Sequence, residues 1–144
     1  WHETTRALLN SRELLQATWN KDEEAVARYI EEAHLDTAIL TYNNENALSY
    51  TIAIAYITAR NHYTIIREMP SGKGFADMVF IPIDNKPAMI IELKWDQKVK
   101  TAIDQIKEKN YPQGLKKYQD NLLFVAISYD KETKKHHCKI EQLT

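Results

Sequence analysis

The segment Ala88-Met89-Ile90-Ile91-Glu92-Leu93-Lys94-Trp95 constrains the fold more than any other in the chain. Its run of apolar residues on both alternating faces predicts a central strand, in a sheet covered on two sides by helices. Only Glu92 and Lys94 break the run. Residues two apart on a strand share a face, roughly 6.6–7 Å from each other. Glu92 and Lys94 therefore stand side by side, with Met89, Ile91, Leu93 and Trp95 on the other face. Charges are almost never buried without a partner or a metal. A third charge, Asp77, lies in the preceding apolar segment Phe75–Ile81. Two carboxylates and a lysine on neighbouring strands would make a small oxygen-lined metal site with a cation beside it. That combination suits phosphodiester hydrolysis.

The rest of the chain reads as helices followed by β-β-β-α-β-β. Ser11 is placed to cap a helix running to about Asn20, and Asp22 to cap a second one. In that second helix Ala25, Val26, Tyr29, Ile30 and Ala33 recur at helical spacing. A third helix is expected from about Glu45 to Asn61, with Leu48, Ile52, Ala55, Tyr56 and Ala59 inward. Strands are expected at 63–68, 75–82, 88–95, 121–128 and 136–142, the first three as an antiparallel meander. Residues 97–110 return to helical spacing through Val99, Ala102, Ile103 and Ile106. Pro70-Ser71-Gly72-Lys73-Gly74 reads as a turn. The 144 residues suit one domain, with a helical part at about 1–44 and a core at about 45–144. The chain begins without Met, which fits a piece of a longer protein.

A net charge of −1 argues against a general polyanion binder. The distribution is uneven: residues 1–45 hold nine acids and four bases, residues 94–117 seven lysines and three acids. The second stretch could track a phosphate backbone, or could be a solvated helix face. One cysteine excludes an internal disulfide framework and fits a reducing compartment, the cytoplasm. No apolar run reaches membrane-spanning length, so no membrane partner is expected.

Other chemistry is excluded or weak. Ser71-Gly72-Lys73-Gly74 lacks the spacing of a phosphate-binding nucleotide loop. No Gly-x-Ser-x-Gly is present. His136 and His137 point to opposite faces of an edge strand and lack a second ligand pair for zinc with Cys138. Both are expected to face solvent, and the lone His34 and His62 to be structural.

Asp77, fourteen intervening residues, then Glu92-Leu93-Lys94 resembles the signature of the PD-(D/E)XK nuclease superfamily. Ser71–Asp77 resembles the glycine-rich hairpin that delivers the metal-binding Asp. Ala102, Gln105, Ile106, Lys109 and Tyr111 resemble the helix that often follows the E-x-K strand. Phe75 stands where the family often has Arg, and Ala76 where it has Pro. More narrowly, the chain resembles the nuclease domain at the C-terminus of certain bacterial AAA-ATPase-like proteins.

The resemblance implies an α/β, restriction-endonuclease-like fold: a mixed sheet with an antiparallel meander flanked by helices, after an N-terminal helical region. It implies metal-dependent hydrolysis of nucleic-acid phosphodiesters, DNA by default, leaving 5′-phosphate and 3′-hydroxyl. Mg²⁺ (or Mn²⁺) would be held by Asp77, Glu92 and the backbone carbonyl of Leu93, and Lys94 would handle the attacking water. Mg²⁺ prefers oxygens in near-octahedral geometry, which this donor set can begin to supply. Glu45 lies on the inward stripe of its helix; the family places a metal-supporting Glu near there, whereas helix-dipole stabilisation is the plain alternative. Glu68 is a weaker case of the same kind. Gln105 could orient a water or contact a phosphate, or simply edge the core. A second reading is a weakly cutting nucleic-acid-binding or regulatory module attached to an ATPase domain. Cutting both strands of a duplex would favour a homodimer.

Overall fold

The computed structural model describes residues 2–36, 45–67, 75–96 and 120–143, with positions 98, 100, 104, 117 and 118; side chains are described over 5–35, 47–67, 78–96 and 120–142 and at those five positions. Helices α1 (His2–Trp19), α2 (Glu23–Asp36) and α3 (Glu45–Ala55) lead into a 3₁₀ turn at Ile57–Asn61. Five strands follow: β1 (Tyr63–Arg67), β2 (Phe75–Pro82), β3 (Ala88–Trp95), β4 (Leu122–Asp130) and β5 (Lys135–Leu143). They form one sheet in sequence order. All neighbours are antiparallel except β3 and β4, which run parallel. A parallel pair needs a long crossover, and residues 96–121 make it. The helix expected at 97–110 falls in that crossover and lies outside the described residues, apart from helical positions at 100 and 104.

The alternation of each strand divides the sheet into two faces. On the first face Met78, Phe80, Met89, Ile91, Leu93, Leu123, Val125, Ile127, Tyr129 and Ile140 form one core with Leu14, Val26, Ile30, Leu48, Ile52 and Tyr56 of the helices. On the second face a smaller cluster joins Val79, Ala88, Ile90, Leu122, Phe124 and Ala126, with Ile81 and Tyr118 packed against it. The mixed α/β architecture with an N-terminal helical layer is the one the sequence predicted.

The helical layer differs in two details. α1 starts well before Ser11, so Ser11 is not a cap. It is buried in mid-helix, where its Oγ lies 2.7 Å from Thr58 Oγ1 and accepts the Thr58 N–H at 3.0 Å. That bond gives the Thr58 N–H a partner other than the α-helical carbonyl four residues back, which is why α3 gives way to a 3₁₀ turn instead of running to Asn61. Asp22 behaves as expected: its carboxylate accepts the Ala25 N–H at 3.2 Å.

α2 also closes one edge of the sheet. The carboxylate of Glu23 accepts the Ile140 N–H at 2.6 Å, and that of Glu31 the His136 N–H at 2.9 Å. Eight residues of helix and four of strand each span roughly 12–13 Å, so the two carboxylates meet outward-facing donors that an edge strand would otherwise leave open. β4 and β5 are joined by a hairpin in which Asp130 Oδ1 accepts the Glu132 and Thr133 N–H groups and Lys134 takes a positive φ of 59°.

Candidate active site

β3 is the middle strand of the sheet, between antiparallel β2 and parallel β4. Its central position buries every residue but the last. Glu92 is 0% exposed and Lys94 5%. Both belong to the second face, since Met89, Ile91 and Leu93 fill the first-face core while Ala88 and Ile90 fill the second-face cluster. Neither charge is isolated; each interacts with surrounding groups. Leu93, between them, drives its side chain into the first-face core, so only its backbone is shared with the site.

The register sets position 77 of β2 directly opposite Glu92, and position 75 opposite Lys94. Directly opposed residues of an antiparallel pair lie on the same face, with Cβ atoms about 4.5–5.5 Å apart. The backbone thus brings Asp77, Glu92 and Lys94 to one patch of one face. The side chain of Asp77 lies outside the described residues. So does that of Glu45, the first residue of α3, a helix whose Leu48 and Ile52 pack on the first face. Glu68 and Gln105 lie outside the described residues altogether.

Sequence reasoning missed how β4 lines the patch. On its second face it runs Leu122, Phe124, Ala126, Ser128. Beside Ala88 and Ile90 it offers bulk; beside Glu92 and Lys94 it offers a methyl and a hydroxymethyl group. Both small residues are buried. The smallest side chains of that row thus lie beside the two charges. The signal was present as a fall in side-chain size along one parity of the strand.

β3 ends abruptly after the site. Asp96 takes a positive φ of 58°, donates its N–H to the Tyr129 carbonyl at 2.7 Å and pairs with Lys131 at 3.4 Å. Asp tolerates the left-handed region better than most residues, so a sharp exit is available without glycine.

His136 corrects an expectation. It is buried, not solvent-facing, and packs at a tilt against Tyr129 (5.1 Å between centroids) and edge-on against His34 (5.7 Å) on the first face. Burial pushes its imidazole down to about 4, against the opposing pull of Glu31, whose carboxylate lies 3.6 Å away. Burial likewise raises the Cys138 thiol far above its ordinary range. These residues are core groups, while His137 is exposed on the other side.

Among the described residues no three or more His, Cys, Asp or Glu side chains gather as metal ligands. The donor set at the patch still fits a hard divalent cation: a fully buried carboxylate, a second carboxylate position opposite it, and no sulfur or imidazole among them.

The model of the PD-(D/E)XK nuclease superfamily matches residues 31–139, from α2 into β5. The chain belongs to that superfamily. Its members are generally nucleases, hence hydrolases acting on nucleic acids, and typically use divalent metals. No curated protein and no solved structure matches the chain. No helix among the described residues is long and apolar enough to cross a membrane.

Proposed function

We propose that the chain is a metal-dependent nuclease that hydrolyses phosphodiester bonds of DNA in the cytoplasm, with Asp77, Glu92 and Lys94 as its catalytic residues. The observation that carries this reading is a glutamate and a lysine buried side by side on a central strand, with an aspartate position directly opposite the glutamate. A buried charge costs several kcal/mol of desolvation. A structural role alone would be met more cheaply by apolar residues of similar size, as the first face demonstrates.

Asp77, Glu92 and the Leu93 carbonyl would hold Mg²⁺ or Mn²⁺. Bound there, the metal supplies a Lewis acid for the phosphate and lowers the pKa of a coordinated water. Lys94 Nζ donates to that water or to a non-bridging phosphate oxygen and offsets the negative charge that develops as water attacks phosphorus. The oxygen of water bonds to phosphorus and its proton passes to solvent, the bond to the 3′ oxygen breaks and that oxygen takes a proton from solvent, leaving 5′-phosphate and 3′-hydroxyl ends. Exclusion of bulk water from the second face strengthens each of these interactions. Gln105 would orient the water, and Glu45, at the start of a helix that packs on the first face, would reach the metal only past the end of the sheet.

The test is cleavage of supercoiled plasmid and labelled single strands with Mg²⁺, Mn²⁺ or EDTA, with Lys94→Ala prepared in parallel. Cleavage that needs metal and disappears in Lys94→Ala is the expected result. A Lys94→Ala protein that cuts at the parent rate would sink the mechanism. Metal binding without cleavage of any substrate would favour the weakly cutting regulatory module.

A further inference from the structure

The second face does not end at β4. The register continues each row of the site onto β5: Glu92 beside Ala126 beside Lys139, and Lys94 beside Ser128 beside His137. On β5 the parity is settled by packing, because His136, Cys138 and Ile140 lie against the first-face core. His137 and Lys139 therefore belong to the second face, as does Lys135 at the start of the strand. Lys135 and His137 are exposed and Lys139 is half-buried. Successive members of this row stand roughly 6.6–7 Å apart. Glu141, next in the row, lies beside Phe124 and closes it with the opposite charge, level with the apolar end of the face.

Three features coincide. Among the described residues of the sheet, only Ala126 and Ser128 of β4 stand between Lys139 and His137 on one side and Glu92 and Lys94 on the other. Two inter-strand spacings, roughly 10 Å, separate the rows, a distance a lysine side chain largely spans. The basic row lies along one edge strand, level with the charged half of the face, with Asp130 of β4 as the one carboxylate directly opposite it, beside Lys135.

We propose that Lys135, His137 and Lys139 form a phosphate-binding row on β5. It holds the nucleic-acid backbone along the edge strand, two strands away from the bond being cut. The proposal rests on the nuclease reading above and adds its substrate track: the polyanionic backbone, not base edges, is what this row recognises. Lys135 and Lys139 act by charge, His137 by hydrogen bonding.

The experiment uses the full chain carrying Lys94→Ala, so that bound substrate stays intact. Anisotropy of labelled single-stranded and duplex oligonucleotides is read between about 50 and 200 mM salt. Adding Lys135→Gln with Lys139→Gln is expected to weaken binding about tenfold or more. The slope of log affinity against log salt should fall by about 1.4 for single strands or about 1.8 for duplex. In the cleaving protein the same pair should raise KM and leave kcat within a few-fold. Lys135→Arg with Lys139→Arg should restore both affinity and slope, which excludes a folding defect. Arg60→Gln, an exposed charge on the helical side, should change neither. Unchanged affinity and slope, in a chain whose cleavage Lys94→Ala still abolishes, would overturn the row and leave the nuclease reading intact. Failure of the parent chain to bind or cut any nucleic acid would overturn both.

Discussion

The two faces of the sheet are built from the same strands and serve opposite ends. The first face is apolar from β2 to β5 and lies under three helices. The second is apolar only beside Ala88 and Ile90, then turns to Glu92 and Lys94 with small neighbours on β4. Because strand side chains alternate, each residue of β3 contributes to one face and leaves the other untouched. The chain can therefore spend burial energy on the first face and accept the desolvation of two charges on the second. Stability and chemistry are separated by parity, one residue apart.

The largest effects should come from the second face and should concern activity. Glu92→Gln together with Lys94→Met is expected to lower cleavage by at least about a thousandfold, roughly 4 kcal/mol of transition-state stabilisation. The same double variant should melt within a few degrees of the parent, or higher, since replacing buried charges by residues of similar volume is often neutral or stabilising. Ile91→Ala is the mirror experiment one residue away. It removes a fully buried side chain from the first face and should cost about 2–5 kcal/mol. Activity per folded molecule should be retained. Loss of stability in the first variant without loss of cleavage, or the reverse in the second, would break the division by face.

Much of this was legible in the sequence because both signals are local. A strand apolar on both parities announces burial, and two charges inside it announce a site. The expected strand limits at 75–82 and 88–95 match β2 and β3 in full. What was not legible depends on distant partners. Ser11 looks like a cap until Thr58, 47 residues on, is placed against it. The 3₁₀ turn after α3 follows from that same contact. His136 looks like a polar residue on an edge strand until α2 covers the edge and Tyr129 and His34 enclose the ring. Only its alternation with His137 marks it, and the neighbouring pattern of Cys138 and Ile140 decides which histidine turns inward.

That pair of histidines offers a finer probe. His136 is held neutral in the fold, its ordinary value of 6.5 pushed down to about 4 by burial. Glu31 opposes the shift, while His34 and His137 add to it. The unfolded chain thus binds a proton that the native chain refuses between those two values. Its contribution to stability is complete above about pH 6.5, falls as the pH drops toward 4, and is constant below that. The loss should be on the order of 3 kcal/mol. Urea midpoints of the parent between pH 7 and 4, compared with His136→Phe, would measure it. The variant should show a shallower decline. An equally steep decline in His136→Phe would assign the acid sensitivity to other groups.

The smallest expected effect sharpens the comparison at its boundary, the hairpin that joins β4 to the row on β5. Lys134 occupies the left-handed region, with φ at 59°, and its N–H bonds to the Asp130 carbonyl at 2.7 Å. A non-glycine residue pays about 1–2 kcal/mol there. Glycine removes that cost but brings about 0.5–1 kcal/mol of extra unfolded-state entropy. Glycine should therefore win narrowly. Lys134→Gly is expected to be more stable than Lys134→Ala by up to about 1 kcal/mol, a difference of a few degrees in Tm for a chain of this size. Both variants remove the same charge, so the difference isolates the backbone. Because Lys134 sits in the turn and outside the proposed phosphate row, nucleic-acid affinity should respond equally to the two changes. An alanine variant as stable as the glycine one would mean that the turn relaxes to another conformation. The hairpin would then fix the position of β5 less firmly than its hydrogen bonds suggest.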